Sequence, residues 1–173
     1  WVTHQRRDQY WEHGSVGDDW SALAVPILAI GGWADGYRNA PPDLAAHLST
    51  PTKAINGPWI HKYPHFAWPK PRLDFHAEAV RWWDRWLKGV SNGADQLPAY
   101  RAYLSEKVLA GSEWRSEEPG NWVALEEWPS TDIQQRVFYF TDKGTLGAQP
   151  NNEALHTIST PQDCGVSSGE YFT

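Results

Sequence analysis

The sequence contains no methionine and a single cysteine, Cys164. One thiol excludes an internal disulfide framework and any metal site built from several cysteines. No run approaches the roughly 20 apolar residues that cross a bilayer as a helix. Positive charge is also scarce: 15 Lys and Arg stand against 21 Asp and Glu, a formal net charge of −6. Phosphate binding needs a basic face, so this balance disfavours a nucleic-acid partner. No signal peptide is visible, and the lone cysteine is compatible with a cytoplasmic setting. The chain opens on Trp1 inside a polar, aromatic stretch, and is read as a piece of a longer protein.

Tryptophan, by contrast, is abundant, at 12 of 173 residues. Each indole buries a large area but needs an acceptor for its N–H. Packing, between domains or along a helix face, is the favoured reading. Lining of an apolar substrate pocket, or a platform for sugar stacking, is the alternative for one or two of them. Apolar residues at 40% and charged residues at 21% are ordinary for a globular chain.

Residues 1–22 are polar and aromatic and read as a short helix and a loop, broken at Gly14 and Gly17. Val25-Pro26-Ile27-Leu28-Ala29-Ile30-Gly31 is a continuous apolar run of strand length, as expected of a strand covered on both faces in a parallel sheet. Ala40 to Leu48 reads as a helix, with prolines accepted in its first turn and Asp43 complementing its dipole. Thr52-Lys53-Ala54-Ile55-Asn56 is a second strand, and Gly57-Pro58 turns the chain. Strand, helix and strand form a βαβ unit. Asp74 to Lys88 carries the strongest helical pattern, with Phe75, Ala79, Trp82, Trp83, Trp86 and Leu87 at helical spacing. Asp74 is its predicted cap and Gly89 its stop. Ser91 to Asp95 reads as a linker. Beyond Leu97-Pro98 come short β-type runs at Ala99–Leu104, Asn121–Leu125 and Gln135–Phe140, separated by turn clusters, the pattern of an antiparallel sandwich or barrel. No internal repeat and no low-complexity segment is present.

The chemistry concentrates just past the two predicted strands. Gly31-Gly32-Trp33-Ala34-Asp35-Gly36-Tyr37 follows the first, and Gly57-Pro58-Trp59-Ile60-His61 the second. Ligands and reacting groups of open α/β sheets collect at the carboxyl ends of the strands. One βαβ unit should bring Asp35 and His61 to the same sheet edge. An acid followed by a histidine is the order of the last two members of a Ser-Asp-His hydrolase triad. His61 would be the general base, and Asp35 would fix its tautomer and stabilise the imidazolium. Taken singly, Asp35 reads more plainly as a turn or helix cap, and His61 as an ordinary loop histidine. Their pairing favours catalysis. The nucleophile is harder to find. Gly165-Val166-Ser167-Ser168-Gly169 matches the letters of a nucleophile elbow, but no strand leads in and no helix follows. Ser15 lies in a polar segment and lacks the preceding glycine. His61 and His65 are four apart, but Pro64 between them argues against a helical metal pair, and no metal or other cofactor is predicted.

Gly-Trp-x-Asp after one strand, Gly-Pro-Trp-x-His after the next, a helix ending Asp84-Arg85-Trp86-Leu87-Lys88-Gly89, then Trp114-Arg115 and Glu127-Trp128-Pro129 form a series. The series resembles the family of X-prolyl dipeptidyl-peptidases, cocaine esterase and α-amino-acid ester hydrolases. Arg7-Asp8-Gln9-Tyr10-Trp11 resembles the end of that family's helical cap. The resemblance covers essentially the whole chain. It implies an α/β fold: residues 1–22 as the end of the cap, 23–90 as the C-terminal portion of an α/β-hydrolase domain, and 97–173 as the start of an all-β jelly-roll domain. It implies Asp35 and His61 as the triad acid and base of a serine hydrolase acting on a small-molecule ester or peptide. Trp33, Tyr37 and Trp59 are pocket neighbours by adjacency. The family's serine elbow has no counterpart here, so the nucleophile is expected upstream and the chain alone is expected to be inactive. Self-association is compatible with the apolar surface that a partial α/β layer exposes. The competing reading is a non-catalytic, aromatic-rich β module for carbohydrate or protein, with Trp114, Trp122 and Trp128 as stacking residues. Exposed, coplanar indoles would favour that module, and buried ones packing.

Overall fold

The structure is a computed structural model that describes residues 1–106, 115–150, 157 and 159–164. The chain divides into two compact units, Trp1–Ser130 and Thr131–Tyr171. In the first, a short helix α1 (Gln9–Glu12) precedes β1 (Ile27–Gly32), α2 (Ala40–His47), β2 (Thr52–Gly57), α3 (Phe75–Lys88), β3 (Tyr100–Ser105) and β4 (Gly120–Leu125). The four strands form one sheet in the order β1-β2-β3-β4.

β1 and β2 run parallel from Ile27↔Thr52 to Gly32↔Gly57, so both strands end level. α2 makes the crossover, with prolines in its first turn and Asp43 at the positive end of its dipole. Both faces of the sheet are covered. On one, Ala54, Tyr100 and Ala102 pack with Trp33, Ala45, Val123, Leu125 and Trp128. On the other, Ile55, Trp59 and Ala67 pack with Leu28, Ile30 and Leu73. Double coverage explains why β1 reads as an unbroken apolar run rather than an alternating one.

α3 is bounded as its sequence demands. The Asp74 carboxylate accepts from the Ala77 N–H at 3.0 Å, and Gly89 closes the helix at φ 72°, a conformation that favours glycine. The apolar set predicted for this helix does not act as one face. Ala79 and Trp82 are buried, whereas Trp83 and Leu87 are exposed. Successive helical residues are turned by about 100°, so Trp83 and Leu87 are swung off the stripe that Ala79 and Trp82 occupy. Glu78 ties the helix to β3 through a two-pronged pair with Arg101, both bonds at 2.8 Å.

The segment after Leu97 returns to the four-stranded sheet. β3 adds to β2 in parallel, Ala54↔Tyr100 to Asn56↔Ala102. β4 then runs antiparallel to β3, Tyr100↔Leu125 to Ser105↔Gly120. Ala54 on β2 has a small side chain. It leaves room beside it for Tyr100 and Ala102, which are buried against it. Arg101, alternating to the opposite face, meets Glu78. In the second unit, β5 (Tyr139–Phe140) pairs antiparallel with β6 (Leu146–Gly147). The run expected over Gln135–Phe140 is a strand only in its last two residues.

Among the described residues, the indole N–H groups of Trp11, Trp33, Trp59 and Trp128 bond to backbone carbonyls, as packing requires. Trp33 donates to Tyr103 O, Trp59 to Pro71 O and Trp128 to Pro42 O, at 2.7, 2.7 and 2.9 Å. Trp128 packs edge-on to Tyr100 at 4.6 Å between centroids. Trp122 is exposed and lies against Tyr103 and Trp59 at interplanar angles of 71° and 52°. Trp128 is only half-buried and Trp122 exposed, so the two differ in exposure, and Trp114 lies outside the described residues. Among the described residues no helix is long and apolar enough to cross a membrane.

Candidate active site

Two loops leave the level ends of β1 and β2 and continue to bond to each other. Trp33 N–H donates to Gly57 O at 2.9 Å and Ala34 N–H to Trp59 O at 3.0 Å. The ladder thus extends past the strands and fixes one loop against the other. Gly32 makes this possible: a Cβ there would lie 2.0 Å from Trp59 O. That oxygen already serves Ala34, so any larger residue must break the junction. Gly32→Ala is expected to cost about 3 kcal/mol of stability, near the upper end for forced overpacking. Gly14→Ala, where the added carbon meets one atom at 3.9 Å, should stay within about 0.5 kcal/mol. Urea unfolding midpoints of the two variants check the contrast.

Asp35 begins the turn that follows β1. Its N–H donates to Gly32 O at 3.2 Å, and its own carbonyl accepts from Arg38 N–H at 3.3 Å. The carboxylate is buried. Oδ1 accepts from the Tyr37 N–H at 2.9 Å, and Oδ2 meets His61 Nδ1 at 2.9 Å. The turn-cap reading and the histidine-partner reading of Asp35 therefore hold together, one on each oxygen.

His61 is delivered by an anchored loop. Trp59 is 1% exposed, and its ring N–H holds Pro71 O. Ile60 N–H donates to Trp68 O at 2.7 Å. The His61 side chain is 55% accessible against 11% for Asp35, so the pair has a covered acid and an open base. A carboxylate can only accept, so Nδ1 carries the shared proton, and a neutral ring then has its basic lone pair on Nε2.

The pair borders a cavity of about 570 Å³ lined by Gly31, Gly32, Asp35, Trp59 and His61, with Ile30, Ile60, Tyr63, Pro64, Phe66 and Phe75 as an apolar wall and Lys62 beside them. Of the predicted pocket neighbours, Trp59 lines this cavity. Trp33 does not: it packs toward the cluster of Ala54, Tyr100 and Ala102. Tyr37 is exposed, with its ring 5.7 Å from that of His61, and is not among the lining residues. Tyr63 and Phe66 carry a signal in the sequence as aromatic residues directly after His61, whereas Phe75 reads there only as part of the helical apolar set. Asn56, fully buried near the end of β2, gives only a weak signal in the sequence, a polar residue directly after the apolar pair Ala54-Ile55. Ser15 Oγ takes a hydrogen bond from Arg7 at 2.9 Å. Gly165 to Gly169 lies outside the described residues. Among the described residues no group of three or more His, Cys, Asp or Glu is disposed to hold a metal ion.

Comparison with known proteins points the same way as these loops. A family model for X-Pro dipeptidyl-peptidase (S15 family) matches residues 1–63, the stretch that carries both Asp35 and His61. Cocaine esterase from Rhodococcus sp. (strain MB1 Bresler) is 23% identical over 167 residues, covering 90% of this chain and 27% of its own length. The chain thus spans about a quarter of the curated relative it matches. Both findings support the family resemblance read from the two loop motifs, and both similar groups are hydrolases by name.

Proposed function

We propose that this chain supplies the acid and the base of a serine hydrolase that cleaves an ester or amide through an acyl-enzyme. The observation that carries the reading is the 2.9 Å contact between Asp35 Oδ2 and His61 Nδ1, just beyond the carboxyl ends of two adjacent parallel strands. A serine from another part of the longer protein gives its proton to His61 Nε2 as its Oγ attacks the substrate carbonyl. His61 then passes that proton to the leaving alcohol or amine. In the second half it takes a proton from water, which attacks the acyl-enzyme, and returns that proton to the serine Oγ as the acyl–oxygen bond breaks and the acid is released. Asp35 keeps the ring in the productive tautomer and offsets the positive charge formed in each transition state.

Residues 23–90 serve as the C-terminal part of the hydrolase domain, and residues 1–22 as the end of its cap. Because β3 and β4 extend the same sheet, the jelly-roll assignment rests on residues from Thr131 onward and on the resemblance. The substrate is a small ester or a short peptide, with dipeptidyl-peptidase and esterase chemistry sharing the same acyl-transfer steps.

The test uses the longer protein that carries this chain. It is incubated with p-nitrophenyl acetate and with an aminoacyl-prolyl p-nitroanilide, and separately with a fluorophosphonate. Release of nitrophenol or nitroaniline, with labelling of one serine, is expected. Absence of hydrolysis in both assays together with absence of labelling overturns the proposal.

A further inference from the structure

Two polar side chains are buried among the described residues, Asp35 and Asn56. Asp35 belongs to the site. The side-chain hydrogen bonds of Asn56 go to neither His61 nor the Asp35 carboxylate, yet it is fully buried in the strand that leads to His61. Its register partners are Gly31 on β1 and Ala102 on β3. An amide in that position costs free energy unless its donors and acceptors are met. They are met in a directed way. Asn56 Nδ2 donates to Arg38 O at 2.9 Å, and Oδ1 accepts from the Tyr100 hydroxyl at 3.2 Å. Arg38 is the residue that closes the turn opened by Asp35, its N–H donating to Asp35 O at 3.3 Å. Asn56 therefore holds the last peptide of the turn whose first residue carries the acid. Tyr100 braces the amide from β3, and its ring is itself held edge-on by Trp128. Burial pushes the Tyr100 hydroxyl up, so it remains a donor at neutral pH.

We infer that Asn56, braced by Tyr100, is a positioning residue that sets the Asp35 turn, and with it the carboxylate, against His61. The inference rests on the hydrolase reading above. A misplacement of about 1 Å in such a constellation can cost about a hundredfold in rate. A merely structural amide would lower stability and leave the chemistry of the folded enzyme unchanged.

The experiment measures kcat and KM of the longer protein on p-nitrophenyl acetate for wild type, Asn56→Leu, Tyr100→Phe, Asp35→Asn, His61→Ala and the double variant Asn56→Leu/Asp35→Asn. Folding of each is checked by circular dichroism. Asn56→Leu is expected to lower kcat by about 10- to 100-fold with KM changed by less than about threefold. Tyr100→Phe, which keeps the ring packing, should lower kcat in the same direction by about three- to tenfold. In the Asp35→Asn background the Asn56 substitution should add less than about twofold, because a correctly placed carboxylate is no longer there to lose. A folded Asn56→Leu with wild-type kcat overturns the inference, as does an equal loss in both backgrounds. Should Asn56→Leu fail to fold, an unchanged kcat in Tyr100→Phe overturns it. If Asn56→Leu is normal while His61→Ala is inactive, only this inference falls. If wild type is inactive, or His61→Ala is as active as wild type, the hydrolase reading falls and takes the inference with it.

Discussion

On the proposed hydrolase reading, replacing His61 with alanine is expected to lower kcat of the longer protein by about 10⁴- to 10⁶-fold, with KM changed only a few-fold. The size follows from what the proposed mechanism asks of the ring twice in each cycle. In that mechanism it accepts the serine proton during attack and the water proton during deacylation. Without it the serine remains a weakly nucleophilic hydroxyl near neutral pH. The members of such a constellation act as a unit, so what survives is the residual due to binding and to stabilisation of the oxyanion. The fold should tolerate the change. His61 is the exposed partner of its pair, and its loop is held by the Trp59 indole and the Ile60 N–H rather than by the imidazole. Steady-state kinetics on an aryl ester, with the unfolding midpoint measured alongside, separate lost chemistry from lost structure. A folded variant that retains more than about a tenth of wild-type kcat removes His61 from the mechanism.

Much of this arrangement is legible in the sequence because the relevant signals are local. The apolar run before Gly31, the prolines at the start of α2, Asp74 before the amphipathic stretch and Gly89 after it each specify a boundary from neighbouring residues. The meeting of Asp35 and His61 is legible for a related reason. Two parallel strands joined by one crossover end level, so residues a few positions past each end share one edge. Non-local features are not legible in this way. Nothing in Ala99–Leu104 states that its strand will pair in parallel with β2, because the partner lies more than 40 residues away. The same holds for Trp33. Its neighbours in sequence suggest the pocket, but its indole turns to the carbonyl of Tyr103 on β3. Asn56 and Tyr100 meet across 44 positions of sequence and acquire their meaning only once β3 joins the sheet.

Asp35→Asn is expected to lower kcat by about 10⁴-fold while leaving the unfolding midpoint close to that of wild type. The two oxygens of Asp35 explain why the effects separate. Oδ1 accepts from the Tyr37 N–H and fastens the turn. An asparagine carbonyl can take that bond unchanged. Oδ2 is the partner of His61 Nδ1, and there the substitution presents an NH₂ group instead of an acceptor. An amide donor selects the tautomer with its proton on Nε2, so the lone pair faces the wrong way for the serine. The imidazolium formed during attack also loses its counter-charge. Asp35→Ala removes the turn bond as well as the charge and should lose stability in addition, by about 1 kcal/mol for the lost hydrogen bond. Comparing the two variants therefore assigns each oxygen its task. In the His61→Ala background, Asp35→Asn should cost less than about threefold more, since a carboxylate that acts only through the histidine has nothing left to act on. A full additional loss there would mean that Asp35 contacts the substrate or nucleophile directly, and the triad geometry drawn here would have to be redrawn around the acid.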